Sequence, residues 1–329
     1  VRDIVQNHNF QLIETNGIRL RAVVEGNGPL IMLLHGWPQC WYLWRHQIAP
    51  LVEAGFQVAV PDQRGYGGSD RPAEVEAYNI LELTSDVVGI ADALGHERFI
   101  VVGHDWGAPV AWHTALLHPE RVRAVAGMSV PYTRGKARTM TQQEFHGDNF
   151  WYWVYFQQPG VAEAELEADI RKSLRTIYFT VSGDLPDALM PGRKPSTAKF
   201  LDGMSDPIHV NGNLPAWLTE ADLDYYVAQY QLSGFRGPLN WYRNMDRNID
   251  LTPQLDSPET GKIEQPSFFI AGTKDPVLKF AGGRLVSKMD EWVTDMRGKV
   301  WIEGVGHWTP MERPAEVTEA LLGFLKSVS

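Results

Sequence analysis

The chain has a single cysteine, Cys40, so no internal disulfide can form, and a reducing, cytoplasmic setting fits that usage. Positive charge is also scarce: 30 Lys and Arg against 40 Asp and Glu leave a formal net charge of −10. Nucleic acid or an anionic membrane would repel such a chain, which argues against either as the main partner. No apolar run is long enough to span a bilayer, and no charged-then-apolar leader follows Val1. Metal-ligand spacing is missing too. There is no H-E-x-x-H helix or C-x-x-C pair, and a strand-turn-helix path scatters His104, His113 and His118, so neither a metal nor another cofactor is expected.

What is present reads as one α/β unit. The 329 residues allow two domains or one domain carrying an insertion, and either buries a sizeable core. Residues 1–9 are polar and expected to fray. Phe10 to Glu14 and Ile18 to Glu25 flank Thr15-Asn16-Gly17, whose Asn-Gly pair supplies the positive φ angles of a hairpin turn. Leu30 to Leu34, Gln57 to Val60, Phe99 to Val102 and Ala124 to Val130 are apolar strands, with helices expected over Leu81 to Leu94 and Ala108 to Leu117. Strands alternating with helices imply a mostly parallel sheet with right-handed crossovers, covered on both faces.

After Pro131 the alternation stops. Helices are expected near Phe145 to Phe156, Val161 to Thr180, Thr219 to Leu232 and Leu239 to Asn248, and residues 181–216, rich in Gly, Pro, Asp and Asn, form one long excursion. The alternation resumes with strands Ser267 to Ala271 and Lys299 to Ile302 and helices Arg284 to Met296 and Ala315 to Leu325. The division expected is an α/β core over 1–131 and 252–329, with an all-helical cap over 132–251 lying across the sheet's carboxyl edge.

Ligands of such sheets bind beyond the carboxyl ends of the strands, where His35, Asp62 and Asp105 sit. Gly103-His104-Asp105-Trp106-Gly107 has the form of a nucleophile elbow: two glycines let strand and helix close up, and the central residue is forced outward. That central residue is a carboxylate. Asp275 follows one later strand and His307 the next, which gives the order nucleophile, acid, histidine of the α/β-hydrolase triad, with Asp in place of Ser. An Asp after a strand commonly caps a turn, and most of the ten histidines are ordinary; the conjunction in one order is what singles out these three. His35-Gly36-Trp37-Pro38 follows the strand that supplies half of an oxyanion hole, whose donors would be the backbone N–H groups of Trp37 and Trp106.

With these residues in place, the sequence resembles the soluble epoxide hydrolases. The shared runs are His35-Gly36-Trp37-Pro38, Trp41-Tyr42-Leu43-Trp44-Arg45-His46-Gln47, Gly65-Tyr66-Gly67, Gly103 to Gly107, Phe156-Gln157-Gln158-Pro159-Gly160, Asn240-Trp241-Tyr242-Arg243-Asn244 and Gly306-His307-Trp308-Thr309. The resemblance runs from about Phe10 to near the end and includes the expected cap. It implies two ring-opening tyrosines, at Tyr242 and at Tyr152, with the nearby Tyr155 as alternative for the second. It also implies the single-function form, without the phosphatase domain of the two-domain mammalian members.

These residue types suit epoxide opening. Asp105 can attack carbon without prior deprotonation, and two phenols with an ordinary pKa of about 10 can protonate the emerging alkoxide. His307, oriented by Asp275, then activates a water against the Asp105 ester, giving a vicinal diol. General-base help is worth about 10² to 10⁴ and one oxyanion donor about 10² to 10³, so turnover needs both. Phe145 to Phe156 contains seven aromatics, most of which must be wall; the expected pocket residues are His35, Pro38, Trp151, Tyr155, Trp241 and Trp308. The expected partners are a small apolar epoxide and water, with the chain a monomer or homodimer. A haloalkane dehalogenase is the alternative reading, since it too forms an aspartyl ester; the tyrosine pair and Asn240 to Asn244 favour the epoxide. A non-catalytic receptor for apolar ligands on the same fold could dispense with the triad, whereas here every part is present.

Overall fold

The computed structural model describes residues 8–133, 138–253 and 261–328, so most of the terminal stretch expected to fray lies outside the described residues. Eight strands make one sheet: β1 Phe10–Thr15, β2 Ile18–Glu25, β3 Leu30–Leu34, β4 Gln57–Pro61, β5 Phe99–His104, β6 Val122–Met128, β7 Ser267–Gly272 and β8 Met296–Ile302. Their order is β1-β2-β4-β3-β5-β6-β7-β8. β2 is antiparallel to both neighbours, and the six strands from β4 to β8 across the sheet are mutually parallel. The β1–β2 hairpin turns at Asn16 and Gly17, both at positive φ, as the Asn-Gly pair requires.

The central strands β3, β5 and β7 are buried along their whole length, which is why β3, Phe99 to Val102 of β5 and Phe268 to Ala271 of β7 read as apolar runs. β3 connects to β4 on one side through the helix Ile48–Glu53, and β4 returns past β3 to β5 through the helix Ile80–Ala93. Right-handed crossovers in opposite directions put these helices on opposite faces. The loops leaving β3 and β5 therefore part at the sheet's switch point, which opens a crevice at their carboxyl ends.

Between β6 and β7 the described residues form helices over Tyr152–Tyr155, Val161–Glu167, Ile170–Thr180, Pro207–Asn211, Glu220–Ser233, Arg236–Arg243 and Met245–Leu251. Several bounds differ from expectation. Phe145 to Phe156 is not one helix: a short 3₁₀ turn ends at Phe145, Gly147 takes a positive φ, and only one helical turn follows. Val161 to Thr180 breaks where the Asp169 side chain accepts from the Lys172 N–H at 2.9 Å and starts a new helix. The stretch expected from Leu239 begins at Arg236 and breaks at Asn244, whose amide donates to the carbonyls of Asn240 and Val75. Within the long excursion, Asp206 caps the short helix Pro207–Asn211. The helix expected to reach Met296 ends at Trp292, and β8 starts three residues early, because an edge strand with one open side lacks a buried-strand signature. No helix among the described residues is long and apolar enough to cross a membrane.

The insert is anchored by polar contacts along one stripe of Glu220–Ser233. Asp222 accepts from the Tyr42 hydroxyl at 2.9 Å and pairs with Arg45 at 3.4 Å; Tyr225 accepts from the Trp41 indole at 2.6 Å; Gln229 accepts from Arg21 at 2.6 Å; the Tyr230 hydroxyl donates to the Gln39 carbonyl at 3.3 Å. Spacings of three and four keep Asp222, Tyr225 and Gln229 on one face, and Tyr230 flanks it.

Candidate active site

Asp105 follows β5 at a φ of +52°, a conformation that thrusts its carboxylate out of the strand-to-helix turn. The turn closes because Gly103 lacks a side chain: a β-carbon there would lie 1.9 Å from the Gly107 carbonyl oxygen. A β-carbon at Gly36 would sit 2.3 Å from Asp105 Oδ1 and 2.6 Å from the Trp106 nitrogen, so the loop after β3 can approach Asp105 only with glycine at that position.

The carboxylate is shared between two partners. Oδ1 accepts the Trp37 N–H at 2.7 Å, and Oδ2 faces His307 Nε2 at 3.4 Å. On its other side His307 Nδ1 meets Asp275 at 3.1 and 3.2 Å, and Asp275, also a helix cap accepting from Val277 N–H, is fully buried. Burial alone would lower the His307 pKa, but Asp275 and then Asp105 outweigh it and raise it to about 10. Burial likewise works against an ionised Asp105, yet the hydrogen bond and charge of His307 and the Trp37 N–H hold its carboxyl below the usual carboxylate range.

Above Asp105 stands an aromatic cage. Tyr242 meets the Trp106 ring edge-on at 5.1 Å, Phe156 at 5.0 Å, and Trp37 and Tyr152 at 6.0 Å each. Phe200 closes the wall against Trp37 and Phe156. Burial, and after it the charge of Asp105, pushes the pKa of both Tyr152 and Tyr242 upward.

The other sequence candidates are each held by neighbours other than Asp105. The Tyr155 hydroxyl donates to Glu165 Oε2 at 2.8 Å, and the acidic groups raising its pKa after burial are Glu165 and Asp202. Trp151 stacks on His146, and Trp241 donates its indole N–H to the Arg64 carbonyl at 3.1 Å. Trp308 packs edge-on against the His307 ring and donates to the Tyr178 carbonyl at 2.8 Å. Pro38 gives its carbonyl to the Tyr178 hydroxyl at 2.7 Å. His35 Nε2 accepts from the Gln63 N–H at 3.0 Å, so its proton is on Nδ1, facing the Gly36 carbonyl; burial lowers its pKa to about 4. It is a neutral brace under the Trp37 loop.

A family model described as the alpha/beta hydrolase fold matches residues 29–314. The chain is 46% identical over 325 residues to Epoxide hydrolase A of Mycobacterium tuberculosis, covering 96% of each chain. It is 34% identical to Epoxide hydrolase 2 of Siraitia grosvenorii, over 95% of this chain and 97% of that one. The crystal structure of Epoxide Hydrolase A from Mycobacterium thermoresistibile superposes with a TM-score of 0.89 at 44% identity, over 97% and 98% of the two chains. The chain belongs to the epoxide hydrolases of the α/β-hydrolase fold family.

Sequence reasoning missed parts of this hydrolase's site that carry no motif of their own. Glu165 takes the N–H groups of Phe200 and Leu201 as well as the Tyr155 hydroxyl, and Lys194 donates to the carbonyls of Lys199, Phe200 and Asp202; together they hold Phe200 against the cage. The contacts from Glu165 to Phe200 and Leu201 span 35 and 36 residues, and no local pattern announces them. His104 Nε2 and the Ser129 hydroxyl both donate to the His307 carbonyl, at 2.7 and 3.0 Å. The clearest omission is the buried carboxylate of Glu312, five residues past His307.

Proposed function

We propose that this chain opens a small, mostly apolar epoxide in two steps centred on Asp105. The observation that carries the reading is the divided carboxylate: one oxygen held by the Trp37 N–H, the other facing His307. In the first step Asp105 Oδ2 attacks an epoxide carbon, the carbon–oxygen bond breaks, and Tyr242 with Tyr152 donates a proton to the departing alkoxide. Esterification removes the charge that stabilises the His307 proton, which passes through solvent to the phenolate and leaves the imidazole neutral. His307 then takes a proton from a water attacking the Asp105 carbonyl carbon, and the Trp37 and Trp106 N–H groups hold the oxyanion. His307 returns that proton to the leaving diol oxygen, and the Asp105 carboxyl reionises by reprotonating His307. Atoms balance as epoxide plus water to vicinal diol.

In this reading residues 132–251 are a cap that supplies the proton donors and the cage, and 1–131 with 252–329 form the core. Tyr152 serves in preference to Tyr155 because Glu165 engages the Tyr155 hydroxyl. The phenols beside Asp105 also favour an epoxide over a haloalkane, whose departing halide needs no proton. Buried, unpaired Cys40 supports a cytoplasmic setting. The test is a single turnover in ¹⁸O-water: label is expected in the Asp105 carboxylate and not in the first diol. Labelled diol would overturn the ester route.

A further inference from the structure

Glu312 lies in the short helix Thr309–Glu312 and is 6% exposed, yet none of its hydrogen bonds goes to another side chain. Its Oε2 accepts the N–H of Gly183 at 2.8 Å and of Gly306 at 3.0 Å; its Oε1 accepts the N–H of Trp308 at 3.0 Å. Gly306 and Trp308 flank His307. Gly183 belongs to the cap, two residues beyond Val181, whose carbonyl accepts the His307 N–H at 2.8 Å. The three successive N–H groups of 306–308 thus end alternately on Glu312, on the cap backbone and on Glu312 again.

Burying a carboxylate is costly unless its oxygens are filled, and three charge-assisted bonds fill them. Those bonds fix the peptide planes on both sides of the imidazole, and the imidazole direction decides whether water or the ester lies within reach of Nε2. Asp275 does not duplicate this, since it holds the ring and not the backbone that carries it. The geometry points to Glu312 as a positioning residue for His307, tying the histidine loop to the cap at Gly183 and acting selectively on hydrolysis of the Asp105 ester. This rests on the two-step reading above.

Glu312→Gln preserves the volume but places an NH₂ where an oxygen accepted, so at least one of the three N–H groups loses its acceptor. A misplacement of about 1 Å at a reacting group can cost on the order of 10² in rate. With styrene oxide as probe and intact-protein mass after rapid quench, Glu312→Gln should form the Asp105 adduct within about threefold of the parent rate. Its adduct should decay at least about tenfold more slowly, so the ester accumulates at steady state. A purely structural part would slow both steps together or lower Tm alone; equal slowing, or unchanged decay, overturns the inference. His307→Gln is the control: if it holds no adduct the two-step reading falls and this one with it, whereas an adduct there with unchanged decay in Glu312→Gln overturns only the role of Glu312. Hydrogen exchange of the parent enzyme tests the clamp even if the variant fails to fold. Gly183, Gly306 and Trp308 amides should be strongly protected, and rapid exchange at them overturns the assignment.

Discussion

At the scale of single residues, the proposed two-step route separates a nucleophile that is always charged from a base that must be freed. His307 is held as an imidazolium by two carboxylates, with a pKa raised to about 10, and on the proposed route the loss of the Asp105 charge releases it for the second step. The rate of adduct formation is therefore expected to be flat between about pH 6 and 9, while ester decay rises with pH; stopped-flow and quench measurements separate the two. His307→Gln should hold an adduct with the full mass of the epoxide, detectable in the intact protein. Tyr242→Phe should slow adduct formation by about 10² while leaving ester decay within a few-fold. Stability carries the same signature. A histidine whose folded pKa lies above its ordinary 6.5 contributes its full stabilisation below about pH 6.5 and loses it as pH rises through about 10. The urea midpoint should fall across that window, and His307→Gln should lack that part of the slope.

At the scale of elements, the loops after β3 and β5 act as one piece, since Gly36 lets the first touch the carboxylate of the second. Gly36→Ala should lower kcat by about 10² or more through displacement of Asp105 and the Trp106 N–H, at an overpacking cost of about 1–3 kcal/mol in the urea midpoint. Such elements were legible in the sequence because the physics that builds them is local. A strand buried on both faces must be largely apolar, as β3 is throughout and β5 is over Phe99 to Val102, and an elbow needs glycine on either side of its central residue. The insert was less legible. Phe150 to Phe156 is aromatic but for Val154, so it has no polar face to reveal a helical period, and its chain is placed by contacts with Phe200 and Tyr242, far away in sequence. β8 was read short because its exposed edge alternates poorly. Glu312 escaped notice because its partners are backbone N–H groups, which leave no mark on residue identity.

At the scale of the whole molecule, core and insert are joined by buried polar contacts as well as apolar ones. Asp222→Ala would leave the 8%-exposed Arg45 without its carboxylate, and breaking a buried pair in this way costs about 3–5 kcal/mol, read as a lower denaturant midpoint. The strap from Tyr178 to Gly183 ties the two parts more closely still. Its carbonyls accept the Trp308 indole N–H and the His307 N–H, its Gly183 N–H donates to Glu312, and the Tyr178 hydroxyl donates to the Pro38 carbonyl beside the Trp37 loop. This makes recombination between relatives harder than the division into two parts suggests. A chimaera that imports a foreign insert also imports the seat on which the recipient's histidine rests. Grafts that carry 178–183 together with a matching 304–312 should keep turnover, and grafts that cut between them should trade a new substrate range for a stalled second step.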